Sequence, residues 1–319
     1  MPRLLDLDPA GYERHRLHSQ QRDWAETNCY VDIWIELLHA MGHEPLAAMP
    51  FTLAIDFEDD QWTFFKPPLG DLFDLYGLEV QEMAVWRPLV EHIEEQLDHD
   101  KFVLVELDSW FLPDTEGSAY RMAHVKSTVA VNDFDPQAQR MEYFHGQGYY
   151  RLEGEDYRGV FYLDEDDPSR LPPYVEIVKQ REAPPLRELP EISLQLLHRQ
   201  LRLLPKRNPF ERFRERFEQD LSQLMEGDLE LFHAYSFATF RQFGACYELA
   251  AGYLEWLGEQ GIDGFEDARR DLAAISSASK VYQFQLARAM SRRKPLDLSP
   301  IDAMGEHWTA AMGRISDRL

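Results

Sequence analysis

Six prolines crowd into residues 164–190: Pro168, Pro172, Pro173, Pro184, Pro185 and Pro190. Each lacks a backbone N–H and fixes φ at about −65°, so the stretch marks a domain junction. It parts two regions of different hydrophobic rhythm. Beyond it, apolar residues recur at helical spacing, which predicts helices over 192–204, 209–225, 228–260, 264–292 and 300–319. Pro209 sits just inside a start capped by Asn208, and Gly261 follows a C-terminus. Short connections imply antiparallel neighbours, hence a helical bundle over 191–319.

Before the junction the pattern is mixed. Thr27 or Asn28 can cap a helix that begins at Cys29, and Gly42 can close it in a left-handed turn. Strands are expected over 52–55, 61–65, 78–83, 102–107 and 124–131, with short helices over 71–76 and 86–99. Asp135-Pro136 marks a turn, and 140–150 returns as the antiparallel partner of 124–131. Helices first and a sheet afterwards describe an α+β domain over 1–175, with 176–190 as the junction.

The net charge of −24 opposes general binding to nucleic acid, which depends on neutralising phosphates, and it disfavours anionic membranes. Apolar runs are strand-length, far short of the about 20 residues that cross a bilayer. Arg3, Asp6, Asp8 and Glu13 leave no apolar core for a secretory signal, so a cytoplasmic location is expected. Two cysteines, Cys29 and Cys246, are too few for a disulfide framework. Basic residues gather between His198 and Arg216 and again at Arg292-Arg293-Lys294; the plain reading is a solvated helix face, the functional one a dock for an acidic partner.

Cys29 draws attention by its place. A thiol in the first turn of a helix faces unpaired N–H groups and the positive end of the dipole, and both favour thiolate. With a side-chain amide such as that of Asn28, the same N–H groups can hold an oxyanion. A cysteine nucleophile needs a base from elsewhere in the chain. His124 opens a predicted strand 95 residues further on. Pairing about the turn puts His145 or Gln147 near it as the group that orients the imidazole, although Asp or Asn is the usual choice.

Three stretches carry a resemblance: Thr27-Asn28-Cys29-Tyr30, then Asp108-Ser109-Trp110-Phe111-Leu112-Pro113, then His124-Val125-Lys126-Ser127. Together they resemble the N-terminal domain of butirosin-biosynthesis protein H, which is itself similar to bacteriocin-processing cysteine peptidases. The whole chain, with Tyr143-Phe144-His145-Gly146 among its motifs, also resembles a bacterial family known only as a domain of unknown function. The first resemblance implies a papain-like domain and an acyl or aminoacyl transferase. Cys29 would take an acyl group from a carrier-protein thioester and pass it to an amine, with His124 as base and acid and Asp108 shaping the site floor. The sequence departs at the third position, where relatives place Asp and this chain offers His145.

Other residues invite plainer readings. Asp108 can equally tie the Pro113 turn, and the acidic run 56–60 reads as solvated loop. His39 and His43 are four apart, but Gly42 lies between them, so no metal site is expected. Cys246 and the stripe Phe232, Tyr235, Phe237, Phe240, Phe243 and Tyr247 read as helical core. No phosphate loop or dinucleotide fingerprint is present. No cofactor is expected, save phosphopantetheine as part of a carrier-protein substrate. Transfer to an amine competes with two alternatives: a cysteine peptidase or amidase, and a binding protein that retains the fold.

Overall fold

The structure, a computed structural model, describes residues 3–19, 22–24, 27–164 and 171–319. Pro168 lies outside the described residues. The chain divides into two compact units. The first takes the described residues of Met1–Ser19, Asn28–Pro45 and Leu69–Pro184, the second those of Gln20–Thr27, Leu46–Pro68 and Pro185–Leu319. The described residues of 20–27, and segment 46–68, thus fall in the second unit, inside the span that the contiguous reading gave to the first domain.

In the first unit, α1 (Cys29–Ala40) starts where its cap dictates: Asn28 Oδ1 accepts from the Val31 amide at 3.0 Å. Gly42 ends it at φ +79°, and the His43 amide reaches back to the Leu38 carbonyl at 2.9 Å. There follow α2 (Leu69–Tyr76), β1 (Leu78–Glu82), α3 (Leu89–Asp98), β2 (Lys101–Asp108), β3 (Lys126–Asp135), β4 (Arg140–His145), β5 (Gly148–Glu153), α4 (Gly154–Val160) and β6 (Val175–Gln180). Among the described residues six strands form one antiparallel sheet in the order β1-β6-β2-β3-β4-β5.

Two expectations are corrected within this sheet. Val175–Gln180, placed in the junction, is β6, an interior strand between β1 and β2. The single strand expected over 140–150 is a hairpin, β4 to β5, because Gly146 adopts φ +49° and His145 pairs with Gly148 across a two-residue turn.

Side chains alternate across the sheet and sort the layers. Val103, Val105, Leu107, Val129, Val131 and Tyr143 share one buried cluster with Ile93 and Leu97 of α3 and Tyr157 and Val160 of α4. The opposite face receives α1, which lies along β3, β4 and β5. There Tyr30 donates to the buried Glu176 at 2.8 Å.

The second unit is helical: α5 (Leu189–Leu201), α6 (Pro209–Glu226), α7 (Leu229–Ser236), α8 (Gln242–Glu259), α9 (Glu266–Arg292) and α10 (Ser299–Arg318). The expected helix over 228–260 is interrupted by a π-turn at Phe237–Arg241, where Thr239 Oγ1 donates to the Tyr235 carbonyl at 2.6 Å and competes with the ladder. Phe240, Phe243 and Tyr247 are buried as expected, whereas Phe237 points outward. Residues 45–54, read partly as strand, form 3-10 turns, because an apolar run this short does not disclose its own period. Nor is 61–65 a strand; Phe57 and Trp62 make one isolated bridge. Trp62 packs on Phe210, Phe213 and Phe243 with ring centroids 5.1, 5.7 and 4.9 Å away, which ties its segment to the bundle core.

Among the described residues no helix is long and apolar enough to cross a membrane.

Candidate functional site

The end of β2 and the start of β3 are neighbours, with Asp108 paired to Lys126 in the ladder. Asp108 accepts from the Trp110 amide through Oδ1 at 3.0 Å, which starts the turn toward Pro113. Its other oxygen, Oδ2, lies 2.6 Å from His124 Nδ1 and accepts from the Tyr162 hydroxyl at 3.1 Å. The indole of Trp110 stacks on the His124 ring at 4.6 Å, nearly parallel. One carboxylate therefore ties the turn, as one reading of Asp108 expected, and also orients a histidine, a role expected of His145 or Gln147. Tyr162 follows α4 at φ +52°, a conformation that costs a non-glycine residue on the order of 1 kcal/mol or more.

Asp108, His124 and Tyr162 border a cleft of about 720 Å³. Trp86, Leu89, Leu107, Phe161 and Pro172 give it apolar walls, while Arg87 and a Lys126–Glu106 ion pair at 2.7 Å supply charge. Concavity, apolar lining and a paired titratable group together mark a default binding site.

Cys29 is not among the residues that line this cleft. Among the described residues the hydrogen-bond partner of its sulfur is Thr128 Oγ1, at 3.9 Å. Thr128 points to the α1 face of the sheet, and Ser127, its neighbour on β3, points to the α3 face. No hydrogen bond among the described residues joins Cys29 to His124. Asn28 spends its carbonyl on the helix cap.

The expected orienting group of His124 is also corrected. His145 Nδ1 lies 2.5 Å from Asp114 Oδ2, and its Nε2 lies 2.6 Å from Ser127 Oγ. Gln147 Oε1 accepts from Arg14 at 2.8 Å. The pairing arithmetic considered only the strand that follows His124, but β3 is also paired with β2, and β2 supplies the carboxylate.

Residues 13–180 match the DUF1839 N-terminal domain and residues 186–317 match the DUF1839 C-terminal domain. The chain belongs to the DUF1839 family. The two DUF1839 matches meet inside the proline-rich stretch, and together they span both units. No curated protein matches the chain.

Sequence reasoning on this DUF1839 chain missed Asp114, Ser127, Trp110 and Tyr162. A signal existed for two of them. Asp114 directly follows the Leu112-Pro113 turn already singled out, and Ser127 lies three residues after His124. The basic segment 198–216 is less bare than its composition suggests. Arg207, Arg214 and Arg216 reach Glu211, Glu218 and Asp220 one helical turn on, and Arg212 meets Asp56 of the acidic run. Cys246 is fully buried, with its thiol on the Thr52 carbonyl at 3.3 Å. Among the described residues no group of three or more His, Cys, Asp or Glu is placed to hold a metal ion.

Proposed function

We propose that the chain is an acyl transferase in which His124 works as general base and acid at the cleft of the first unit. The observation that carries this reading is the 2.6 Å contact between Asp108 Oδ2 and His124 Nδ1 on the cleft wall. A carboxylate on Nδ1 keeps the proton there and leaves the Nε2 lone pair available. Nε2 would take a proton from an attacking amine and deliver one to the departing thiolate.

The likeness to butirosin-type domains suggests the substrates: a carrier-protein thioester as donor, with its phosphopantetheine arm, and an amine as acceptor. The first form of the proposal is direct transfer, in which the C–N bond forms as the C–S bond breaks; its support is that Cys29 does not line the cleft. A second form, with a Cys29 thioester intermediate and a papain-like origin, draws its support from the half-buried thiol in the first turn of α1.

The test is aminolysis of an acyl-N-acetylcysteamine thioester, a small mimic of the carrier arm, by the full chain. Direct transfer expects His124→Gln to lose about a hundredfold or more in rate and Cys29→Ala to keep it. Loss with Cys29→Ala and a trapped acyl adduct on its sulfur would select the second form. Wild-type rates from His124→Gln would end both.

A further inference from the structure

The corrected position of His145 exposes a second constellation that does not involve His124. We propose that Ser127, His145 and Asp114 form a serine acyl-transfer relay that accepts esters or thioesters. Ser127 Oγ lies 2.6 Å from His145 Nε2, and His145 Nδ1 lies 2.5 Å from Asp114 Oδ2. Three elements bring them together: β3 carries the serine, β4 ends in the histidine, and the Pro113–Thr115 turn presents the aspartate.

The proton positions follow from the partners. Tyr143 is buried and its hydroxyl donates to Asp114 Oδ1 at 2.5 Å. The remaining oxygen, Oδ2, accepts from Nδ1–H, which fixes the tautomer and leaves Nε2 as an acceptor. The Ser127 hydroxyl must then donate to Nε2, which is the arrangement a nucleophile and its base require. Burial is graded along the relay. The Asp114 and His145 side chains are 5% and 8% exposed, whereas Ser127 is half-buried at the accessible end. Ser127 also stands opposite Leu107 in the β2–β3 ladder, and Leu107 forms part of the cleft wall. An apolar acyl group lying on that wall would bring its carbonyl toward the hydroxyl.

The chemistry balances without an outside reagent other than water. Ser127 Oγ forms a bond to the acyl carbon while the bond to the alkoxide or thiolate leaving group breaks. The serine proton passes to His145 Nε2 and from there to the leaving group. Water, giving its proton to Nε2, then releases the carboxylic acid and restores the serine.

The experiment incubates the full chain with a fluorophosphonate probe, which forms a P–O bond to an activated serine and expels fluoride. Intact mass and peptide mapping locate the adduct. The expected result is one adduct on Ser127 in the wild type and in His124→Gln, none in Ser127→Ala, and labelling slowed about a hundredfold or more in His145→Gln. An unmodified wild-type chain after prolonged incubation, or an adduct on another residue, overturns the proposal. So does unchanged labelling in His145→Gln. The wild-type map decides the matter even where a variant fails to fold. Because the aminolysis assay reads His124 and the probe reads Ser127, either proposal can fail without the other.

Discussion

The Asp108 carboxylate bridges two jobs, with one oxygen on the Trp110 amide and the other 2.6 Å from His124 Nδ1. The first contact shapes the chain between β2 and β3, and the second aims an imidazole into the cleft. Removing the charge while keeping the shape separates them.

Asp108→Asn should therefore fold, since the amide oxygen can still accept from Trp110. The His124 ring loses the partner that fixed its tautomer, and thioester aminolysis should fall about a hundredfold or more. Circular dichroism checks the fold and the aminolysis rate checks the role. An Asp108→Asn enzyme with wild-type rate would remove the carboxylate from the mechanism.

What could be read in advance was local. The start of α1 was legible because cap, periodicity and terminal glycine agree over a dozen residues. The β2 strand was legible as an apolar run with a charged end. The strand β6 was hidden because prolines on both sides set the composition of the window, although 174–180 contains none and Val175 and Val178 are buried. Partnerships were harder than elements. Each strand of a sheet interior has two neighbours, and spacing along the chain named only one neighbour of β3. The same gap hid Asp114, whose turn lies before the histidines and not after them.

The two thiols should behave differently. Cys29 is partly exposed, while Cys246 is fully buried and burial pushes its thiol well up from the ordinary range. Native protein should react with a disulfide reagent at one site, lost in Cys29→Ser, and the second should appear only in denaturant. Equal rates for both thiols would contradict the packing of α8.

Gly77 joins α2 to β1 at φ +68°, and a Cβ there would lie 2.8 Å from the Glu182 carbonyl oxygen and 2.9 Å from that of Arg181. Both are backbone atoms held by the Arg181 amide on the Gly77 carbonyl at 2.8 Å, so neither yields cheaply. Gly77→Ala should cost about 2 kcal/mol. Gly70 is the control: it is helical, has open space around its Cβ position, and should tolerate Ala with a gain of about 0.5–1 kcal/mol. Thermal unfolding of the pair provides the comparison, and equal midpoints would refute the clash.

His18 is wholly buried between two carboxylates of α1, with Nε2 3.3 Å from Asp32 Oδ1 and Nδ1 against Glu36 Oε1. Burial alone would lower its pKa. The hydrogen bonds and negative charges of Asp32 and Glu36 outweigh burial and raise it to about 9. The folded value thus exceeds the unfolded one of about 6.5. The stabilisation is fully present below about pH 6.5, and it declines as pH rises through about 9. Over that window the loss should be on the order of a few kcal/mol. His43 and His92, whose values burial lowers, act in the opposite sense as pH falls below about 6.5, so the His18 effect is read from pH 7 upward. Urea unfolding at pH 7, 8 and 9 should show a falling midpoint in the wild type. His18→Gln should start from a lower stability, because two buried carboxylates lose their cation, and should show a flat profile across the same window. A wild-type midpoint that holds steady from pH 7 to pH 9 would mean that His18 is not the charged centre of this cluster.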